Sequence, residues 1–334
     1  MAGMYDDQLI ETLRQGAIGL LGEWGLDPQT NVELLTISEN ATFRAEEPDT
    51  GRQIVLRVHR PGYHSQKEIE SELDWIVALR QEGIVETPEP LVIKGGKHLT
   101  SFEMQGERRF VAAFAFMAGV EPSPTENLNS GFEQLGAISA RLHQHVQTWK
   151  RPSSFVRKIW NFDTTVGPKP HWGDWRDAPK LTKDGEQLLE RTCLELKRQL
   201  NEFGEGADRF GLIHADLRLA NLLVEGERLG IIDFDDCGFG WFGYDFAAAV
   251  SFFEHEPIIA ELEDSWIQGY RSVALLSEED AKMLPTFVML RRLLLTAWIG
   301  SHAETPTAQD VIETYTAGTL VLAEDFLSRA GSRR

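Results

Sequence analysis

Apolar residues recur along this chain in two rhythms, one of period near 3.6 and one of short runs. Residues 6–24 carry Leu9, Leu13, Ala17, Leu20 and Trp24 at helical spacing, and Gly25 with Pro28 ends that pattern. Asn31–Ile37 and Gln53–Val58 are strand-like runs with 38–43 between them. A second helix is predicted over Gln66–Glu82, where Ile69, Leu73, Ile76 and Leu79 make one stripe. Three more strand-like runs span Glu89–Phe116, separated by turns at 94–97 and 105–106. From residue 126 onward helical spacing dominates, over 126–148, 183–203 and most of the chain after 246. Capping patterns at Ser277 with Asp280 and at Thr307 with Asp310 precede two of the late apolar runs. This order, strands first and helices after, predicts an α+β fold in two parts, 1–117 and 118–334.

Two stretches break the rhythm. Residues 151–177 mix Trp160, Phe162, His171, Trp172 and Trp175 with Gly and Pro, and two readings fit them. The aromatics could wall a pocket and face a cation, or they could anchor a long insert to its own surface. The other break is a lone carboxylate, Glu72, inside the apolar stripe of the second helix. Burying an unpaired charge is costly, so Glu72 requires a cationic partner. Glu68 is committed elsewhere, because it forms a capping box with Ser65.

Composition narrows the function classes. A formal charge of −19 over 334 residues argues against nucleic-acid or anionic-membrane partners. Two cysteines, 193 and 237, are too few for a disulfide framework. The acidic N-terminus lacks a signal-peptide layout, and no apolar run reads as long enough to span a bilayer, so a cytoplasmic protein is expected. His143 and His145 lie two apart on a helix and point to different sides, which excludes a shared metal role.

The chemistry concentrates in 211–246. His214, Asp216 and Asn221 form an H-x-D-x-x-x-x-N pattern between two apolar runs, and Asp233 comes twelve residues later, ahead of Asp235 and Asp236. One carboxylate to take a hydroxyl proton, plus a carboxylate and an amide oxygen for magnesium, is the donor set of a phosphoryl-transfer site. Five acids, 216, 233, 235, 236 and 245, fall within thirty residues, and an acidic acceptor side predicts a cationic acceptor read by Asp235 or Asp236.

This arrangement resembles the aminoglycoside phosphotransferase and choline kinase family, whose fold is protein-kinase-like. The resemblance implies Asp216 as catalytic base, Asn221 and Asp233 as Mg2+ ligands, and His214 and Asp245 as support for the loop. Arg218 stands two residues after Asp216, where protein kinases carry a Lys that steadies the transferred phosphoryl group. Arg57 stands where the family places its phosphate-facing Lys, and Glu72 is the acid expected to meet it. Ser38 and Asn40 fall in the nucleotide-covering loop, and Phe116 to Ala118 in the hinge whose backbone holds adenine. Ala215 departs from the family's usual Gly. The run RKIWNFDTTVGPKPHWGDW is similar to the type II homoserine kinase-like branch, and Trp172 within it is the candidate acceptor wall. The resemblance thus implies an ATP-dependent (or GTP-dependent) kinase of a small hydroxylated metabolite such as homoserine, an amino alcohol or a hydroxylated amino acid. The competing readings are a stress-response-type protein kinase and a nucleotide-binding scaffold without turnover.

Overall fold

The runs between Asn31 and Ala115 pair into one antiparallel sheet of five strands, β1 (Asn31–Ile37), β2 (Ala41–Glu46), β3 (Gln53–Val58), β4 (Leu99–Met104) and β5 (Glu107–Ala115), in the order β1-β2-β3-β5-β4. A computed structural model describes residues 7–37, 40–123, 128–303 and 305–332, without the side chain of Ser332. It divides into two units, the first being Met1–Val120 with Arg151–Arg157 and Leu223–Asp235.

In this unit β2 alternates buried and half-buried positions, as a strand covered on one face does. Helix α1 (Asp7–Ile18) buries Leu13 and Ala17 against Phe43, Leu56, Val111 and Ala113. It stops earlier than its apolar spacing predicts, because Leu21–Trp24 tightens into a 3₁₀ turn closed by Gly25 at φ 73°. Helix α2 (Gln66–Gln81) starts at the Ser65–Glu68 capping box and buries Ile69, Leu73, Ile76 and Leu79. Glu72 is fully buried with them. The first run of the expected meander is not a strand. Pro88 and Pro90 remove ladder donors there, and only the bridge Pro90–Phe114 remains, with Leu91 N–H donating to Ala113 O. A two-stranded ribbon, Leu222–Glu225 with Arg228–Ile231, joins the unit through paired backbone hydrogen bonds between Val120 and Val224, 3.0 and 2.9 Å.

The second unit is mainly helical. Helix α3 (Asn129–Thr148) packs along the helix Ile259–Arg271. Three short strands, β6 (Ile159–Trp160), β7 (Phe210–Ile213) and Gly238–Trp241, form a small sheet with Gly238–Trp241 in the middle. The helix Glu278–Ser301 begins at a Ser277–Asp280 capping box, whereas the next helix, Pro306–Val311, is capped by Thr305 instead of Thr307. Pro306 explains that shift, since proline favours the first helical position. Glu278–Ser301 also corrects the expectation about membrane-length segments. By length and apolarity it could cross a bilayer, but 78% of its most apolar window is buried inside the protein. Its hydrophobicity serves the core.

Candidate active site

Strand β7 delivers His214, Ala215 and Asp216 into a loop held by buried carboxylate Asp245, in the first turn of the helix Tyr244–Ala249. Ala215 sits at φ 67°, a left-handed conformation that disfavours a side chain, so something must hold it there. Asp245 does so directly. Its Oδ1 accepts from Ala215 N–H at 2.8 Å and its Oδ2 from His214 N–H at 3.3 Å. The carboxylate is oriented in turn by His143, whose Nε2 lies 2.9 Å from Oδ2 and whose Nδ1 lies 3.1 Å from the Tyr270 hydroxyl. The His214 ring accepts from Asp216 N–H at 3.3 Å, closing the loop on itself.

The Asp216 carboxylate collects three side chains. Asn221 Nδ2 donates to its Oδ2 at 2.7 Å and to its backbone oxygen at 2.8 Å. Arg218 Nε donates to Oδ2 at 3.2 Å. Arg291, from the long helix, donates Nη2 to Oδ1 at 2.6 Å. With its Nδ2 spent on Asp216, Asn221 presents its amide oxygen, the hard donor a divalent cation takes.

In the first unit Arg57, on β3, is buried and donates to Glu72 at 2.6 Å and to Asp233 at 3.2 Å. Burial works against its charge, but Glu72, Asp235 and Asp233 outweigh that and raise its pKa. Asp233 lies at φ 60° with its side chain 46% exposed. Among the described residues no three His, Cys, Asp or Glu side chains form a metal cage by themselves. An Asp carboxylate and an Asn amide oxygen are each the kind of hard oxygen donor that magnesium takes.

Asp235 is placed otherwise than an acceptor-reading residue requires. It is 5% exposed, accepts from Asn40 Nδ2 at 2.9 Å, and lies 3.4 Å from His64 Nε2 and 3.6 Å from His59 Nδ1. Its backbone oxygen accepts from Arg157. Burial alone would raise its pKa, but His64 and Arg57 hold the carboxyl well below the usual range. Asn40 ties this cluster to the following loop by accepting from Arg60 N–H at 3.1 Å. Ser38 lies outside the described residues. Asp236 is half-buried in the second unit and accepts from Trp160 Nε1 at 2.8 Å through its backbone oxygen.

Trp172 is also placed otherwise than expected. It is 4% exposed, packs on Trp160 at 5.2 Å, and has the Arg291 guanidinium 5.2 Å from its ring. The chain's own arginine occupies the face expected for a substrate cation. Trp160 and Trp175 are buried as well, so the aromatics of the insert act as anchors. Phe116, Met117 and Ala118 line a cavity of about 270 Å3 together with Thr87, Leu223 and Gly230.

Sequence reasoning missed Arg291, Tyr270, His59 and His64, and weighed His143 only as a metal ligand. A signal existed for the first, because Arg291 and Arg292 interrupt an apolar helical run and a buried charge needs a partner.

Comparison with known proteins bears on the whole arrangement. The model of the phosphotransferase enzyme family matches residues 33–276. A solved microcompartment-associated aminopropanol kinase is 44% identical, with a TM-score of 0.87 over 94% of this chain and 98% of that one. Amicoumacin kinase of Bacillus subtilis (strain 168) is 20% identical over 79% of this chain and 78% of its own length. A spectinomycin phosphotransferase, 15% identical with a TM-score of 0.63 over 96% of this chain and 98% of that one, shares the fold. The chain therefore belongs to the phosphotransferase enzyme family, with a protein-kinase-like fold, and is a kinase of small-molecule hydroxyl groups.

Proposed function

We propose that this enzyme transfers the γ-phosphoryl group of ATP, with Mg2+, to the hydroxyl of a small amino alcohol in the cytoplasm. The observation that carries the acceptor is the 44% identity to an aminopropanol kinase along nearly the whole of both chains. In this reading Asp216 receives the acceptor hydroxyl, and Asn221 and Asp233 hold the metal through hard oxygens. Magnesium, when bound, neutralises charge developing on the phosphates. Arg57, kept in place by Glu72, faces the phosphates with a rigid fork, and Asn40 supports the loop that covers them. The backbone at Phe116 and Ala118 holds the base. Asp235 is enclosed by Asn40, His59 and His64, so in this reading Asp236 is the acid that favours an ammonium group.

The test is turnover of Mg-ATP against a panel of acceptors: 1-amino-2-propanol, ethanolamine, choline, homoserine and the uncharged isostere 1,2-propanediol. The amino alcohols should lead in kcat/KM. Equal values for 1-amino-2-propanol and the diol would sink the charge reading. Asp216→Asn should fold and bind nucleotide, yet lose at least ~10²-fold in kcat, the lower range for a general base.

A further inference from the structure

The apolar helix Glu278–Ser301 contributes a charge to the catalytic loop that neither the motif nor the family match assigns. Arg291 lies near the middle of this helix and is 1% exposed. All three of its nitrogens have acceptors. Nη2 donates to Asp216 Oδ1 at 2.6 Å, Nη1 to Ala215 O at 3.2 Å and Nε to Ser251 Oγ at 3.2 Å. The guanidinium carbon lies over two aromatic rings, 5.2 Å from the centroid of Trp172 and 5.8 Å from that of Tyr244. Burial opposes its charge, yet Tyr244 and Asp216 raise its pKa, so it is a permanent cation.

We propose that Arg291 is a positioning residue for phosphoryl transfer, fixing the Asp216 carboxylate in the orientation that receives the acceptor hydroxyl. Three features carry this beyond simple charge neutralisation. First, one guanidinium grips both the carboxylate of Asp216 and the carbonyl of Ala215, the residue at positive φ, so it sets the loop backbone and the side chain together. Second, it leaves the other oxygen, Oδ2, to Asn221 and Arg218, so the carboxylate has no rotational freedom. Third, its platform is Trp172, whose carbonyl accepts from Ser301 Oγ at 2.6 Å on the same helix. The aromatic insert thereby acquires a task, since it braces the arginine that braces the carboxylate. Arg291 neither gives nor takes a proton. A rigid fork suits that task where a flexible ammonium does not.

This inference rests on Asp216 being the acceptor-side catalytic group, and the experiment separates the two. Steady-state kinetics are measured for Asp216→Asn, Arg291→Lys, Trp172→Leu and each double variant with Asp216→Asn, with melting temperatures as the check on folding. Arg291→Lys should lose about 10- to 100-fold in kcat, the scale of a misplacement near 1 Å, with KM for ATP roughly unchanged. Trp172→Leu should fall in the same direction by a smaller factor. In the Asp216→Asn background neither substitution should lower kcat further, because each acts through that carboxylate. Losses that multiply in the double variants, or wild-type kcat in Arg291→Lys, would overturn the proposal. Should Arg291→Lys not fold, Trp172→Leu carries the same decision, because it leaves the hydrogen-bonding groups of Arg291 in place. Near-normal turnover in Asp216→Asn would instead remove the proposed site itself.

Discussion

Glu72 and Arg57 are both buried and meet at 2.6 Å, so each is tolerated because the other is present. Glu72→Gln leaves Arg57 with only Asp233 and Asp235. It should cost about 3 kcal/mol in denaturant unfolding, the low end for breaking a buried pair. His59 gives a pH-dependent prediction. Burial, then the neighbouring Arg57, pushes its pKa well below the ordinary value, against the pull of Asp235, with His64 and Arg157 adding to the depression. The folded chain therefore does not protonate His59 where the unfolded chain does, near pH 6.5. Its contribution is complete above that pH and is lost as pH falls below it. The drop in unfolding free energy from pH 7.5 to 5.5 should shrink by about 1.4 kcal/mol in His59→Asn. An unchanged drop would show that His59 accepts a proton while folded. Both residues bear on what the sequence disclosed. Glu72 stood out because one acid among apolar stripe positions needs a cation, and Arg57 was near in sequence. Arg291 met the same criterion, but Ser251, Asp216 and Ala215 lie 40, 75 and 76 residues away, beyond what local periodicity reaches.

Among the elements, helices α3 and Ile259–Arg271 approach closely enough to need glycine at the contact. A Cβ on Gly269 would lie 1.8 Å from Glu133 O, and one on Gly136 would lie 2.0 Å from Trp266 O. These are backbone atoms of the facing helix and cannot turn aside. Gly269→Ala should force the helices apart and cost about 3 kcal/mol, at the upper end of ordinary overpacking. The same pair carries His143 and Tyr270, which orient Asp245 under the catalytic loop. The surviving folded fraction of Gly269→Ala should therefore also show reduced kcat. A destabilised variant with wild-type kcat per folded molecule would uncouple helix spacing from the loop. Helices were legible here through periodicity and caps, but not their spacing. Glycines within α3 read only as weak helix formers. Likewise 89–93 is strand-like by composition, and Pro90 within it with Pro88 just before it explains the single bridge it makes.

At the scale of the whole molecule, 52 acidic against 33 basic residues give the enzyme a net charge of −19. Much of the local charge is already matched: Asp216 by Arg218 and Arg291, Asp233 and Glu72 by Arg57. The uncompensated charge is global, and a global field acts on encounter more than on the bound state. A cationic amino alcohol should be drawn to this surface, and the attraction should be screened as the Debye length falls below ~10 Å near 0.1 M salt. The prediction is that kcat/KM for the amino alcohol declines with added NaCl at saturating Mg-ATP, while kcat stays level. For the uncharged diol both should stay level, which controls for salt effects on the nucleotide or the fold. Net charge was fully readable from composition, but which carboxylates remain unmatched was not, because matching is set by contacts distant in sequence. A steady kcat/KM for the amino alcohol across the salt range would confine charge recognition to the pocket. The preference over the diol would then have to come from a single nearby group, and Asp236→Asn is the variant that would abolish it.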